Sequence, residues 1–532
     1  MAGLTGETSY SQLGKSSKSE SVNLRTFNGG LNNVSDITTI DNEELTQLTN
    51  FELDSNGSLV SRPPIVKISE PPVTTEAVTL LGYYTDASQD IFAVVSTPAG
   101  TYLFDTDTET YTLITTIVAS GSAQFNNNLY ICSVTVPGGY WDGTSFRQLN
   151  TGPNPMPVGE QIVLHKSRFF LVSRDALYNR GRIYFSDITT AVPTSVNDWD
   201  TDNYFDVSRG DGQLITKILS APNELFIFRT QSTYYFRYET APIDGVLQVL
   251  DATVGADNEY SVTEYEFSYL VLNNGRLYRF VSYQFYPLND ISRLQFKQTR
   301  LASGLTFFSA LTVFGRRAIV WFGGGTYVLD LESGAWTQWN SPTSEFAWGL
   351  LVPREQNALT PDAMIGVTGI TTVGFNGLYK AVDAYLGVNT EEIACVMETK
   401  SFDFEIPDHW KRLFYWSADV YTARDVYGTA TPIQFSSVVV TWDEMENYDW
   451  DFFEGGTWDV PTTPAPAVLT HIVYPVTTPY RVNVTFQRDM RFRRCSFKVK
   501  LTTDGTTSTG PVRVVELALH ATTKKGISSI LQ

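Results

Sequence analysis

At 532 residues, with 42% hydrophobic and 13% aromatic side chains, the chain carries enough apolar material for a large core. That length corresponds to roughly three or four average domains, although all-β domains often run longer as one unit. The formal net charge of -19 argues against a protein that grips nucleic acid, because phosphate neutralisation needs surplus Lys and Arg. An acidic wall can still repel phosphates and let a duplex slide past.

Tyr, Phe, Trp, Val and Thr are abundant, and 38 Gly and 24 Pro supply turn punctuation throughout, so the composition reads as all-β. The first residues are Ser/Thr/Gly-rich, and 1–26 reads as a flexible arm without a signal-peptide core. No apolar run reaches the length of a membrane span, so no membrane-spanning segment is expected and the chain reads as made in the cytoplasm. Residues 27–74 form an N-terminal segment in which Asp41 and Glu44 have capping-box spacing. They predict one short helix from Asn42 to about Leu48.

A local device then repeats: an aromatic-led strand ends in Asp, a turn follows, and a second strand returns. Phe51-Glu-Leu-Asp54 leads into Ser58-Leu-Val60, and Tyr102-Leu-Phe-Asp105 into Tyr111-Thr-Leu113. Tyr140-Trp-Asp142-Gly143, Tyr184-Phe-Ser-Asp187 and Tyr327-Val-Leu-Asp330 repeat it, with weaker copies at Asn274-Gly275-Arg-Leu-Tyr278 and Gly377-Leu-Tyr379. Asp-Gly and Asn-Gly suit the positive φ of tight hairpins.

Continuously apolar runs precede these hairpins, among them Ile91-Phe-Ala-Val-Val95, Arg168-Phe-Phe-Leu-Val172 and Glu224-Leu-Phe-Ile-Phe228. Such runs suit strands buried on both faces. The leading aromatics recur every 38–52 residues. One buried strand plus one hairpin at that period predicts a β-propeller of about seven blades over 75–391, with the Phe51–Arg62 hairpin available as closing strand. The degeneracy of the copies leaves an irregular array of β-sandwiches as the alternative.

From 392 to 532 the texture changes. Tyr480-Arg-Val-Asn-Val-Thr-Phe486 and Cys495-Ser-Phe-Lys-Val-Lys-Leu501 alternate with period two, predicting a C-terminal antiparallel β-sandwich-like domain. The loop Asp443–Asp459 carries seven carboxylates and five aromatics with no basic residue. It suits a solvated or partner-contacting loop, with a sugar platform, or a calcium site using Asp449 and Asp451, as alternatives. Arg488, Arg491, Arg493, Arg494, Lys498 and Lys500 form the one local basic cluster, a patch complementary to an acidic neighbour or a solvated strand face.

No catalytic signature emerges: the sequence lacks a GxSxG elbow, P-loop, HExxH or CxxC pair. Cys132, Cys395 and Cys495 are scattered and read as buried thiols, and His165, His409, His471 and His520 stand alone, His165 in a strand. No catalytic residue, cofactor-binding residue, cofactor or metal ligand is predicted, and the chain reads as a non-enzyme.

Phe27-Asn-Gly-Gly-Leu-Asn32, Asp41-Asn-Glu43, Asn50-Phe-Glu-Leu-Asp54, Gly57-Ser-Leu59 and Arg62-Pro63 form an ordered set. The set resembles the opening of propeller-bearing bacteriophage tail and neck proteins. Examples are the tail nozzle (tail tubular protein B) of short-tailed phages and the packaged-DNA stabilisation proteins. The strict likeness spans residues 27–63, and the blade repeats and the Lys524-Lys-Gly526 ending fit more loosely. The chain is short for a full nozzle, which leaves its exact place in a tail open.

The resemblance implies a structural virion protein of the tail or neck, assembled in the host cytoplasm and forming a hexameric ring around the DNA channel. The implied partners are copies of itself, other tail, adaptor or portal proteins and tail fibres, with double-stranded DNA passing transiently and without specific binding. Such a ring would help retain and deliver the genome. The competing expectation is a sugar-binding or sugar-cleaving propeller at the tail tip.

Overall fold

The computed structural model describes residues 19–340 apart from 37–38, 64, 70–71, 74–75, 77, 106–107, 152–153, 175–180, 188–198, 208–210, 297–308 and 323–324. Beyond 340 it describes 348–353, 363–367, 377–381, 393–400, 402, 411–421, 433–439, 468–471, 480–485, 491–492, 496–502 and 513–523. Among these residues the only helical element is a 3-10 turn at Pro242–Asp244; the rest of the regular structure is β. The chain divides into two units, Arg62–Glu391 and a second made from Met1–Ser61 with Glu392–Gln532.

Within Arg62–Glu391, consecutive strands pair antiparallel in sets of four. Blade 1 contains Thr79–Thr85, Ile91–Thr97, Gly100–Asp105 and Thr110–Thr115. Blade 2 contains Gly121–Phe125, Asn128–Cys132, Gly139–Trp141 and Phe146–Gln148. Blade 3 contains Gly159–His165, Arg168–Ser173, Arg182–Phe185 and Tyr204–Asp206. Blade 4 contains Ile215–Ser220, Leu225–Arg229, Thr233–Arg237 and Val246–Asp251.

Blade 5 contains Val262–Tyr265, Ser268–Asn273, Arg276–Val281 and Gln284–Pro287. Blade 6 contains Ser309–Phe314, Arg317–Phe322, Gly325–Asp330 and Trp336–Trp339. Blade 7 contains Trp348–Pro353, Ala363–Val367 and Leu378–Ala381, and takes its fourth strand, Ile65–Ser69, from the start of the unit. First strands lie side by side at six junctions, that of blade 7 with blade 1 included, and blades 4 and 5 meet through Phe226 and Phe228 packed with Val262, Val271 and Phe280. The ring is therefore closed: this unit is a seven-bladed β-propeller.

Stacking explains the apolar runs. A second strand is covered on both faces by adjacent blades, so every residue of Arg168–Ser173 and of Leu225–Arg229 is buried. Phe170, Val172 and Ile183 of blade 3 pack with Ile218, Ile227 and Phe236 of blade 4 in one cluster. Each such side chain contributes about 1.5–3 kcal/mol by leaving water.

The Asp that ends so many third strands is a turn staple. The Asp142 carboxylate accepts the backbone N–H groups of Thr144 and Ser145 at 3.0 and 2.8 Å. Asp330 does the same for Glu332 and Ser333, both at 3.0 Å. These are Asx-type turns, in which the side chain replaces a backbone acceptor.

In the second unit, one sheet runs Tyr480–Thr485, Lys411–Tyr421, Arg513–Thr523, Leu59–Ser61, Phe51–Leu53. Another sheet pairs Glu44–Thr49, Ala394–Thr399, Ser496–Thr502, Ile433–Val439 and Val468–His471 in that order. These are the antiparallel strands expected of a sandwich-like domain.

Three local expectations are corrected. The segment at 42–48 is a strand, Glu44–Thr49, and not a helix. The capping-box contact does form, since Asp41 N–H donates to the Glu44 carboxylate at 3.1 Å, but it closes a turn. Leu45 and Leu48 are then fully buried in a strand that pairs with Ala394–Thr399. Tertiary pairing overrides a local signal worth about 1 kcal/mol.

The closing strand is not the Phe51–Arg62 hairpin, whose strands Phe51–Leu53 and Leu59–Ser61 join the Arg513–Thr523 sheet. Closure falls to Ile65–Ser69, which follows two prolines, Pro63 and Pro64, that cannot extend a ladder. The segment 27–74 is accordingly shared between the two units. Nor is all of 1–26 a free arm. Ser19–Leu24 is a strand paired antiparallel with Arg513–Thr523, and residues 1–18 lie outside the described residues.

Candidate functional site

The first strands of the blades surround the propeller axis, and the side chains they set there are polar. Gln124 of blade 2 reaches the first strand of blade 1 with both ends of its amide. Thr85 N–H donates to its Oε1 at 2.9 Å, and its Nε2 donates to Thr85 O at 2.6 Å. Gln161 of blade 3 repeats the device on blade 4, donating to Thr216 O and accepting from Ile218 N–H at 3.1 Å.

Ser120 Oγ donates to Gly159 O at 2.8 Å across blades 2 and 3, and Asn258 Nδ2 donates to Ser309 O at 2.6 Å across blades 5 and 6. Each latch satisfies backbone groups that would otherwise be stranded where blades converge. Convergence is tight: a Cβ on Gly121 would sit 3.1 Å from the Cys132 sulfur and from Glu160 O.

Charged groups occupy the same wall. Glu160 stands at the start of Gly159–His165, Lys217 within Ile215–Ser220, and Glu259 and Tyr260 just before Val262–Tyr265. All four are partly exposed. Burial by the surrounding blades pulls the Lys217 ammonium below its ordinary value, and the Glu259 charge opposes this. Burial raises the Tyr260 phenol well above its usual range, and Glu259 and Glu160 reinforce the shift. Burial pushes the Cys132 thiol up to about 12, with Glu259 and Glu160 adding to it and the Ser120 hydroxyl opposing. At neutral pH the phenol and thiol are therefore protonated.

The arrangement is one of polar latches that tie neighbouring blades together. Among the described residues no group of three or more His, Cys, Asp or Glu could hold a metal ion.

Of the residues singled out in the sequence, His165 is a buried strand histidine whose Nδ1 lies 2.9 Å from Ser220 Oγ, on the seam between blades 3 and 4. Cys132 and Cys395 are buried thiols that form no disulfide among the described residues, and Cys395 Sγ donates to Asn50 O at 3.1 Å. Lys498 and Lys500 lie in Ser496–Thr502, where Lys498 is the cross-strand partner of Glu398. Arg491 lies opposite Arg412. His471 and His520 fall in the strands Val468–His471 and Arg513–Thr523. Cys495, His409, Arg488, Arg493, Arg494 and the loop Asp443–Asp459 lie outside the described residues. Sequence reasoning missed Gln124 and Gln161, and the one available signal was a glutamine within the short first strands GSAQF and GEQIVLH.

The fold defines a protein of the β-propeller class. No protein-family model matches the chain, and no curated protein matches it. Among solved structures it is similar to the extracellular domain of a one-component system from B. thetaiotaomicron, at 11% identity and a TM-score of 0.40. The match covers 69% of this chain and 44% of that one, so this chain spans less than half the length of that domain. The extracellular domain of a hybrid two component system from the same organism gives 9% identity and a TM-score of 0.41, covering 72% of this chain and 56% of that one. YCF48 from Cyanidioschyzon merolae is also similar, at 9% identity and a TM-score of 0.39, covering 60% of this chain and 98% of that one.

Proposed function

We propose that this protein is a non-enzymatic structural component of a bacteriophage tail or neck, a ring-forming subunit that borders the DNA channel and helps retain and deliver the genome. The observation that carries the reading is how the residues of the 27–63 resemblance interlock. Phe27 N–H donates to Gly57 O at 3.0 Å, and a Cβ on Gly57 (φ +77°) would strike the Asn28 side chain at 2.6 Å. Asn32 Nδ2 donates to the Glu44 carboxylate at 3.0 Å. Asp54 accepts from Asn56 and Ser58 N–H at 2.8 and 2.9 Å, while Phe51 and Leu59 are fully buried.

Residues thirty apart thus depend on one another, so the ordered set supports a shared structural unit over a coincidence of short segments. Arg62, almost fully buried, donates to Pro63 O at 3.0 Å and Asn340 O at 3.2 Å with its guanidinium over the Trp339 ring. A closed propeller is stiff, as a part loaded by packaged DNA must be, and a net charge of -19 disfavours adhesion to phosphate.

The test is electron microscopy of the purified chain with its mass in solution, joined to immunogold labelling of phage particles that carry it. Hexameric rings and gold at the tail or neck support the reading, as does loss of packaged DNA when the gene is deleted. A monomer that cleaves glycans, with cleavage abolished by one Asp→Asn change, would overturn it.

A further inference from the structure

Propellers expose one open edge per blade, and an open edge is a template for another strand. Most edges here are blunted. The outer strands of blades 2 and 3, Phe146–Gln148 and Tyr204–Asp206, are three residues long. That of blade 5 ends in Pro287, that of blade 7 carries Lys67, and Trp336–Trp339 of blade 6 is largely buried. Blade 1 offers Thr110–Thr115, a threonine-rich edge with Leu113 as its one exposed large apolar side chain.

Blade 4 differs. Its outer strand Val246–Asp251 is six residues long and pairs on one side with Thr233–Arg237; among the described residues nothing pairs with the other side. Val246 and Val249 are each 54% exposed, and Ile243, at the entrance to the strand, is 66% exposed. From 238 to 251 there is no Lys, Arg or internal strand Pro, whereas Glu239, Asp244 and Asp251 flank the edge with negative charge. Glu239 and Asp244 are exposed.

From these features we infer that the outer edge of blade 4 is a docking site for an extended segment of another protein, added as a fifth antiparallel or parallel strand. Backbone groups of the edge supply the hydrogen bonds, and Val246, Val249 and Ile243 supply apolar contact. Val246 and Val249 project from opposite faces of the sheet, so the occupant is a β-branched segment, with valine on one face and threonine methyls on the other, whose terminal Lys or Arg the carboxylates select. A second copy of the same edge would bring like charges together, which is unfavourable. The site stands independently of the role proposed for the whole protein.

The probe is a fluorescein-labelled peptide, Lys-Lys-Val-Thr-Val-Thr-Val-Lys-Lys, titrated with the full chain and followed by anisotropy. Hydrogen exchange read by mass spectrometry locates the contact. The expected result is saturable binding with slowed exchange over Val246–Asp251, weakened at least about tenfold in a V246K/V249K double variant and unchanged in L113K on blade 1. Circular dichroism of the variants checks that both exposed-site changes leave the fold intact. A counterpart with Glu in place of the terminal lysines is expected to bind more weakly. Absence of binding, equal binding of the acidic peptide, or protection elsewhere would overturn the assignment. So would a concentration-dependent dimer of the wild-type chain that V246K/V249K abolishes, because the edge would then serve a second copy.

Discussion

His165 makes the seam between blades 3 and 4 sensitive to acid. The ring is 1% exposed, lies between Phe170 and Tyr238 with centroid distances of 5.9 and 5.7 Å, and has its Nδ1 2.9 Å from Ser220 Oγ. Its Nε2 meets no hydrogen-bond partner among the described residues. A bare ring nitrogen tolerates that position, but protonation would put a charged N–H there. Burial accordingly pulls the imidazole down to about 4 from its ordinary 6.5; neighbouring Lys166 adds to this and Glu224 opposes it.

Because the folded value lies below the unfolded one, the unfolded chain binds the proton first. The stabilisation is complete above pH 6.5, falls as pH drops towards 4, and is gone below that. At about 1.4 kcal/mol per pH unit the total is about 3 kcal/mol, of which about 2 kcal/mol is lost by pH 5. The assay compares urea denaturation of wild type and His165→Asn from pH 7.5 to 4.5, since other titrating groups remain in both proteins. Wild type should lose more stability on acidification, by about 2 kcal/mol at pH 5, and the imidazole carbon signal in histidine-labelled protein should not titrate above pH 5. Parallel pH profiles for the two proteins would refute the reasoning.

Gln161→Ala strands Thr216 O and Ile218 N–H at a blade junction and should cost about 2–4 kcal/mol in chemical denaturation; a change below about 0.5 kcal/mol would show that water replaces the latch. Ser282 and Tyr283 both hold positive φ, 51° and 63°, in a two-residue hairpin loop. Ser282→Gly should therefore raise stability by about 0.5–1 kcal/mol, seen as a higher melting temperature. Cys132, with its thiol pushed up to about 12, should resist iodoacetamide at pH 8 in the native protein and react after unfolding, as peptide mass spectrometry would report. Asp211→Ala removes the partner of Arg229, which is 1% exposed and whose Nη1 donates to Asp211 at 2.7 Å. The partly exposed carboxylate makes the expected loss about 2–3 kcal/mol, measured by denaturation.

The propeller was legible where its geometry forces a pattern on every residue. A second strand pressed between two blades must be apolar throughout, and Arg168–Ser173 announces itself that way. A staple aspartate must follow its strand directly, which made Asp142 and Asp330 visible. Turns were legible only where Gly or Asn supplies the positive φ, as at Asn274 and Gly275; Ser282 and Tyr283 adopt the same conformation with nothing in their identity to mark it. The latches were hidden because a lone Gln in a strand is indistinguishable from an exposed polar residue until its neighbour in the ring is known. Glu44 misled for the opposite reason: its carboxylate does reach back to Asp41, but a turn needs that bond as much as a helix does.

What closes the ring also bears on the proposed role. Blade 7 is completed by Ile65–Ser69 against Leu378–Ala381, a pairing across some three hundred residues. In the second unit Glu44–Thr49 pairs with Ala394–Thr399, and Ser19–Leu24 with Arg513–Thr523. Early and late segments of the chain are thus stitched together in both units. Opening either unit requires breaking strand pairs that no local segment can re-form alone, and loop-closure entropy grows only slowly with separation. Each doubling of the connection adds only about 0.6 kcal/mol, so the long connection costs little more than a shorter one. Long-range pairing in both units is a property that the ring-forming role proposed above would require.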